Sequence, residues 1–128
     1  MLADYERFWS DYVAVSGTAD WKSDRLARYA TGKALNGLRL QLANYQARGL
    51  VAQGQPIRTG TSVRRLTTKS ATVVECLDSN QWLAHDAKTG KVQGTPDGKT
   101  NQVEATLTRT AGRWKVSVLN IKETECDE

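Results

Sequence analysis

At residue 50 the apolar residues of this chain change their period, from the spacing of helices to the alternation of half-buried strands. Leu2, Tyr5, Phe8, Trp9, Tyr12 and Val15 fall on one face of a helix predicted over residues 2–16, which Gly17 ends. Ser23 is placed to cap a short second helix through Tyr29, with Asp24 favourable in its first turn. Thr31 caps a third helix running to about Arg48. Its buried stripe is Ala34, Leu38, Leu42 and Tyr45, Leu35 widens it, and Gly49 stops it.

The alternating half begins with a strand at Leu50, Val51 and Ala52, which Gly54 and Pro56 confine to an edge or a bulge. Residues 62–68 and 71–77 read as two further strands. Residues 81–85 either continue the third strand past a bulge or start another. Turns are expected over residues 86–91 and 95–98. Ala111 and Gly112 close a two-residue hairpin between residues 103–109 and 114–121. Pairing Thr110 with Arg113 sets Arg109 opposite Trp114, Leu107 opposite Val116 and Ala105 opposite Val118, which gathers the apolar residues on one face. The expectation is an α+β domain of three N-terminal helices packed on a curved antiparallel sheet of five to six strands. Its 128 residues suit one core, so residues 1–128 are read as one domain.

Hydrophobic residues make up 39% and charged residues 25% of the chain, as in ordinary globular proteins, which argues against a disordered tail or a coiled coil. No apolar run is long enough to span a bilayer, and Met1 runs directly into a charged amphipathic segment. An exported form would therefore have lost a leader. The formal net charge is +4, with the basic excess in the middle of the chain. Lys22, Arg25 and Arg28, spaced by three beside Leu26, read as the wet side of a helix. No zinc-finger, helix-turn-helix or glycine-aromatic signature accompanies them, which argues against nucleic acid as the partner.

Cys76 lies in an apolar strand and Cys126 among Glu125, Asp127 and Glu128 near the C-terminus. Their separation excludes a C-x-x-C redox or zinc motif. A disulfide tying the last strand to an earlier one is the favoured reading, with two idle thiols the alternative. Such a bridge would indicate an oxidising, extracytoplasmic compartment.

Three helices followed by an antiparallel meander resemble the cone-shaped fold of the nuclear transport factor 2-like superfamily, which includes ketosteroid isomerase, scytalone dehydratase and SnoaL-like cyclases. The stretches over residues 26–35 and 71–82, followed by Asp86-Ala87-Lys88-Thr89-Gly90, resemble small exported actinobacterial members of that superfamily, typically lipoproteins or tethered domains of unknown activity. The resemblance implies an apolar pocket between sheet and helix, and a pairing of the cysteines at positions 76 and 126. It implies no catalytic assignment.

Isomerase-type chemistry needs a buried carboxylate base and a hydroxyl that stabilises an enolate. Glu75 is the candidate base: strand alternation puts it on the face opposite Val74 and Cys76, which is either the cavity side or the solvent side. Tyr12 and Tyr29 could supply the hydroxyl. Asp78, Asp86 and Asp97 sit at turns, where aspartate commonly bonds its own backbone. His85 is the only histidine and the second catalytic candidate. With no acidic or histidine cluster at ligand spacing, no metal site is expected, and no phosphate loop or dinucleotide fingerprint implies a cofactor. Trp9, Tyr12, Tyr29 and Trp82 are the candidate pocket residues, against a purely structural role.

These readings favour an exported, non-catalytic binding or assembly module of the bacterial cell envelope, meeting a protein partner or a second copy through its sheet. A small-molecule carrier or cyclase-like enzyme with a small apolar ligand is the alternative, followed by a basic binder of nucleic acid or envelope polymer. Intact mass with thiol counting should find the protein two protons lighter than its reduced form; two free thiols after oxidising production would remove the bridge and most of the export argument.

Overall fold

The computed structural model describes residues 1–126. Helix α1 (Leu2–Ser16) leads through a five-residue 3-10 turn (Asp24–Arg28) into α2 (Gly32–Ala47). Six strands follow: β1 (Leu50–Gly54), β2 (Ile57–Leu66), β3 (Ser70–Asp78), β4 (Trp82–Asp86), β5 (Asn101–Thr110) and β6 (Arg113–Ile121). All pairings between strands are antiparallel, in a four-stranded sheet of order β2-β3-β5-β6 and a separate two-stranded sheet of β1 with β4.

Two expectations need correction. Among the described residues there are two α-helices rather than three, and two sheets rather than one. Ser23 does cap the intended second helix, its hydroxyl accepting from the Arg25 amide. The sheet then claims the backbone that would have continued it. Val116 N–H donates to the Tyr29 carbonyl at 2.8 Å, and Thr31 N–H donates to the Val116 carbonyl at 2.9 Å. Thr31 is consequently extended, makes no side-chain cap, and α2 starts at Gly32. Residues 82–86 form a strand of their own because Asp78 ends β3 in a turn, its carboxylate accepting from the Asn80 amide at 3.0 Å.

The β5–β6 hairpin keeps the expected register only in its first half. Thr110 pairs with Arg113, Arg109 with Trp114 and Leu107 with Val116, but Ala105 faces Leu119 rather than Val118. An extra residue on β6 makes the shift, and the Ser117 hydroxyl donates to the Thr106 carbonyl beside it. The bulge keeps Val116 wholly buried against the α2 junction and turns Val118, 41% exposed, to the outer face.

The inner face of the large sheet carries small residues at its centre, Ala71 and Ala105, among Val73, Leu77, Val103 and Leu107. These leave room for the large side chains of α1, Tyr5, Phe8, Trp9 and Tyr12, while α2 adds Leu38 and Leu42. The outer face has no helix over it and exposes Thr59, Ser62 and Arg65 on β2 and Val118 and Asn120 on β6.

Gly54 ends β1 with φ +89°, and a Cβ built there would lie 1.9 Å from the Gln81 carbonyl oxygen. Gly54→Ala combines a left-handed backbone with a clash against main chain, and should destabilise the fold by about 2–4 kcal/mol in denaturant titration.

Candidate functional site

The burial of β3 alternates along its length, and Glu75 shares the inner face with Ala71, Val73 and Leu77. Its side chain is fully buried. An ionised carboxylate has about four acceptor positions, and four contacts fill them. Oε1 accepts from Arg58 Nη1 at 3.0 Å and from the Thr61 hydroxyl at 2.7 Å. Oε2 accepts from the Tyr5 hydroxyl and from the same Arg58 nitrogen at 3.2 Å. The other guanidinium nitrogen of Arg58 donates to Glu6, and the guanidinium lies 5.6 Å from the Tyr5 ring centre and 5.1 Å from that of Trp9. One buried charge thus joins α1, β2 and β3.

Protonation follows this geometry. Burial, and then the hydrogen bond to Glu75, push the Tyr5 phenol well above its ordinary range. Burial disfavours the charge on Arg58, but its contacts with Glu6 and Glu75 outweigh that and hold its pKa above the usual value. Glu75 has no vacant lone pair for a substrate proton, so the geometry does not equip it as a general base.

The aromatic candidates divide. Tyr12 and Trp82 meet edge-to-face with ring centres 5.1 Å apart, and Trp9 lies 5.7 Å from Tyr12 and 6.2 Å from Trp82. Tyr12 and Trp82 line a hollow of about 210 Å³ together with Gln41, Tyr45, Leu77 and Asn101. That is below the roughly 300–1,000 Å³ of typical ligand pockets, because the rings occupy the interior themselves. The Tyr12 hydroxyl donates to Gln41 at 2.5 Å, and burial raises its pKa, with Tyr45 adding to the rise. Among the described residues, the buried indole N–H groups of Trp9 and Trp82 meet no acceptor. Tyr29 stands apart from this hollow, at the β5–β6 hairpin, with the guanidinium groups of Arg28 and Arg113 at 5.8 and 5.0 Å from its ring centre.

His85 lies in the small sheet, paired with Val51, and its Nδ1–H donates to the Leu83 carbonyl at 2.9 Å. It shares no hydrogen bond with Glu75. Asp86 and Asp97 bond backbone amides of their own turns. Among the described residues no group of three or more His, Cys, Asp or Glu side chains is gathered as metal ligands would be. Cys76 and Cys126 form a disulfide with Cα atoms 5.9 Å apart, beside an open hollow of about 450 Å³ on the outer face.

Sequence reading missed Arg58, Thr61 and Tyr5 as partners of Glu75. The available signal was the parity of Glu75 with Val73 and Leu77, since a carboxylate on an apolar face requires a cation there. The basic residues of the middle segment also have a use that their spacing hid. Asp11, 3% exposed, accepts from Arg25 Nε at 2.6 Å and from Arg28 Nη2 at 3.1 Å.

No protein-family profile matches the chain, and neither does the sequence of any curated protein. Solved structures do match. A nuclear transport factor 2-like protein from Cytophaga hutchinsonii aligns with a TM-score of 0.58 at 10% identity, over 94% of this chain and 93% of its own. The intermembrane space region of the chloroplast protein ARC6 aligns at 0.61 and 15% identity, over 94% and 95%. A candidate scytalone dehydratase from Novosphingobium aromaticivorans aligns at 0.57 and 16%, over 99% and 88%. The protein therefore has an α+β fold of helices on antiparallel sheets. That fold is the nuclear transport factor 2-like fold, as the order of its elements suggested.

Arg58→Ala strands the Glu75 charge in the core and should cost about 3–5 kcal/mol in chemical denaturation, whereas Arg58→Met with Glu75→Leu should recover most of the loss. Tyr5 and Tyr12 have pKa values raised by folding, so the stability they contribute is whole below the unfolded value of about 10 and declines as pH rises above it. Ultraviolet titration should show these two phenols resisting ionisation well above the ordinary tyrosine range.

Proposed function

We propose that this chain is an exported, non-catalytic binding module of the bacterial cell envelope that associates with a second copy or another protein through the outer face of its large sheet. The observation that carries the reading is the saturation of Glu75: the best-placed carboxylate for isomerase chemistry holds the fold together instead. The aromatic filling of the cone supports the same reading, and the Cys76–Cys126 disulfide suits an oxidising compartment. The outer face offers threonines and Val118 without covering elements, as a surface meant to be covered by another molecule would.

A second reading keeps the hollow beside Tyr12 and Trp82 for a small polar-aromatic ligand, because the Trp82 indole N–H is buried without an acceptor. Sedimentation equilibrium separates the two. A concentration-dependent dimer that Val118→Glu weakens at least about tenfold is the expected result, since the new charge would be desolvated at the interface. A strict monomer whose Trp82→Phe variant loses binding of a small ligand would turn the assignment to the hollow.

A further inference from the structure

One end of the molecule gathers cations from three separate stretches of sequence. The β2–β3 and β5–β6 turns lie side by side there, with the Arg109 amide donating to the Lys69 carbonyl at 2.9 Å. The 3-10 turn joins them: Arg113 donates to the Arg28 carbonyl at 3.4 Å, and Lys115 Nζ to the Ala27 carbonyl at 2.9 Å. The start of α1 completes the end, the Asp4 carboxylate accepting from the Trp114 amide at 3.0 Å. Among the described residues, Lys69, Arg109, Arg113 and Lys115 pair with no carboxylate.

Three acidic residues share this end. Asp11 is buried beneath Arg25 and Arg28, which remain 45% and 54% exposed, and Asp4 is bonded by Trp114 and Arg7. Only Asp24 is exposed. Arg28 and Arg113 converge on the Tyr29 ring although their charges repel: Asp11 holds the Arg28 guanidinium, which stays 54% exposed, and the Arg28 carbonyl accepts from Arg113, which is also exposed. Like charges fixed together favour an anion between them.

Two further features select the kind of anion. Leu2 and Leu66 flank the cations, 42% and 62% exposed, as side chains that would enter a headgroup layer. Lys69 lies in the β2–β3 turn and Arg109 and Arg113 flank the β5–β6 turn, while the guanidinium groups at Tyr29 compete with any base for its ring. We propose that this end docks on the surface of an anionic phospholipid bilayer. Its use requires no protein partner.

The test is flotation of the full chain with vesicles of phosphatidylcholine alone or with about 30 mol % phosphatidylglycerol, in low and high salt. Wild type should float with the anionic vesicles only, and about 0.5 M salt should release it. Each basic side chain near such a surface contributes about fivefold, so Lys69→Gln with Arg109→Gln should weaken partition about twenty-five-fold. Lys88→Gln with Lys91→Gln, in the turn beside Gly49 beyond the far end of α2, should leave it unchanged. Circular dichroism of both pairs excludes loss of fold as the cause. Equal flotation with neutral vesicles, no flotation with anionic ones, or the same loss in both pairs would overturn the proposal. So would a short DNA duplex that strips the protein from vesicles at lower concentration than the lipid itself, which would make this end a nucleic-acid surface.

Discussion

A buried carboxylate on the apolar face of a sheet needs a cation and hydrogen-bond donors beside it, and the rest of this structure is arranged around that requirement at Glu75. Arg58 must reach inward from β2, Thr61 must turn toward the same oxygen, and α1 must present Tyr5 at one defined height. The apolar contacts of α1 are compatible with small slides along the sheet; the four-contact carboxylate is not. Such a pair adds little net stability over a well-packed apolar substitute, yet breaking it is costly, so its effect is to specify one arrangement. Asp11 repeats the device on the other side of α1, where Arg25 and Arg28 lock the 3-10 turn to the helix.

Most of the architecture was legible from periodicity. The limits of α1, the change at residue 50, the β5–β6 turn and the pairing of Cys76 with Cys126 follow from spacing, turn chemistry and cysteine placement. What escaped depended on contacts between distant segments. Val116 reaches the backbone at Tyr29 and Thr31, a contact across more than eighty residues, and the bulge at Ser117 follows directly after it. Local propensity at Asp24–Arg28 was sound, and the segment forms a capped turn of 3-10 rather than α-helix.

The candidate site divides along the same line. Strand parity placed Glu75 on one of two faces, and only the three-dimensional structure distinguishes a reactive carboxylate from a saturated one. Trp9, Tyr12 and Trp82 do come together, because α1 and β4 close over one end of the cone. Tyr29 does not join them, since the 3-10 turn holds it beside the hairpin. Neighbours at 10–16% identity share the backbone, and a shared backbone leaves the chemistry to be argued from side chains such as these.

The disulfide also determines how the chain carries load. Cys126 is bonded to Cys76 across 50 residues, and β3 lies inside the sheet between β2 and β5. Tension applied at the C-terminal end therefore enters the molecule at β3. Strands β4, β5 and β6 lie within the covalent ring and are shielded from that tension, so β6 cannot be peeled from the edge. Load arriving at Cys126 would thus be borne by an interior strand.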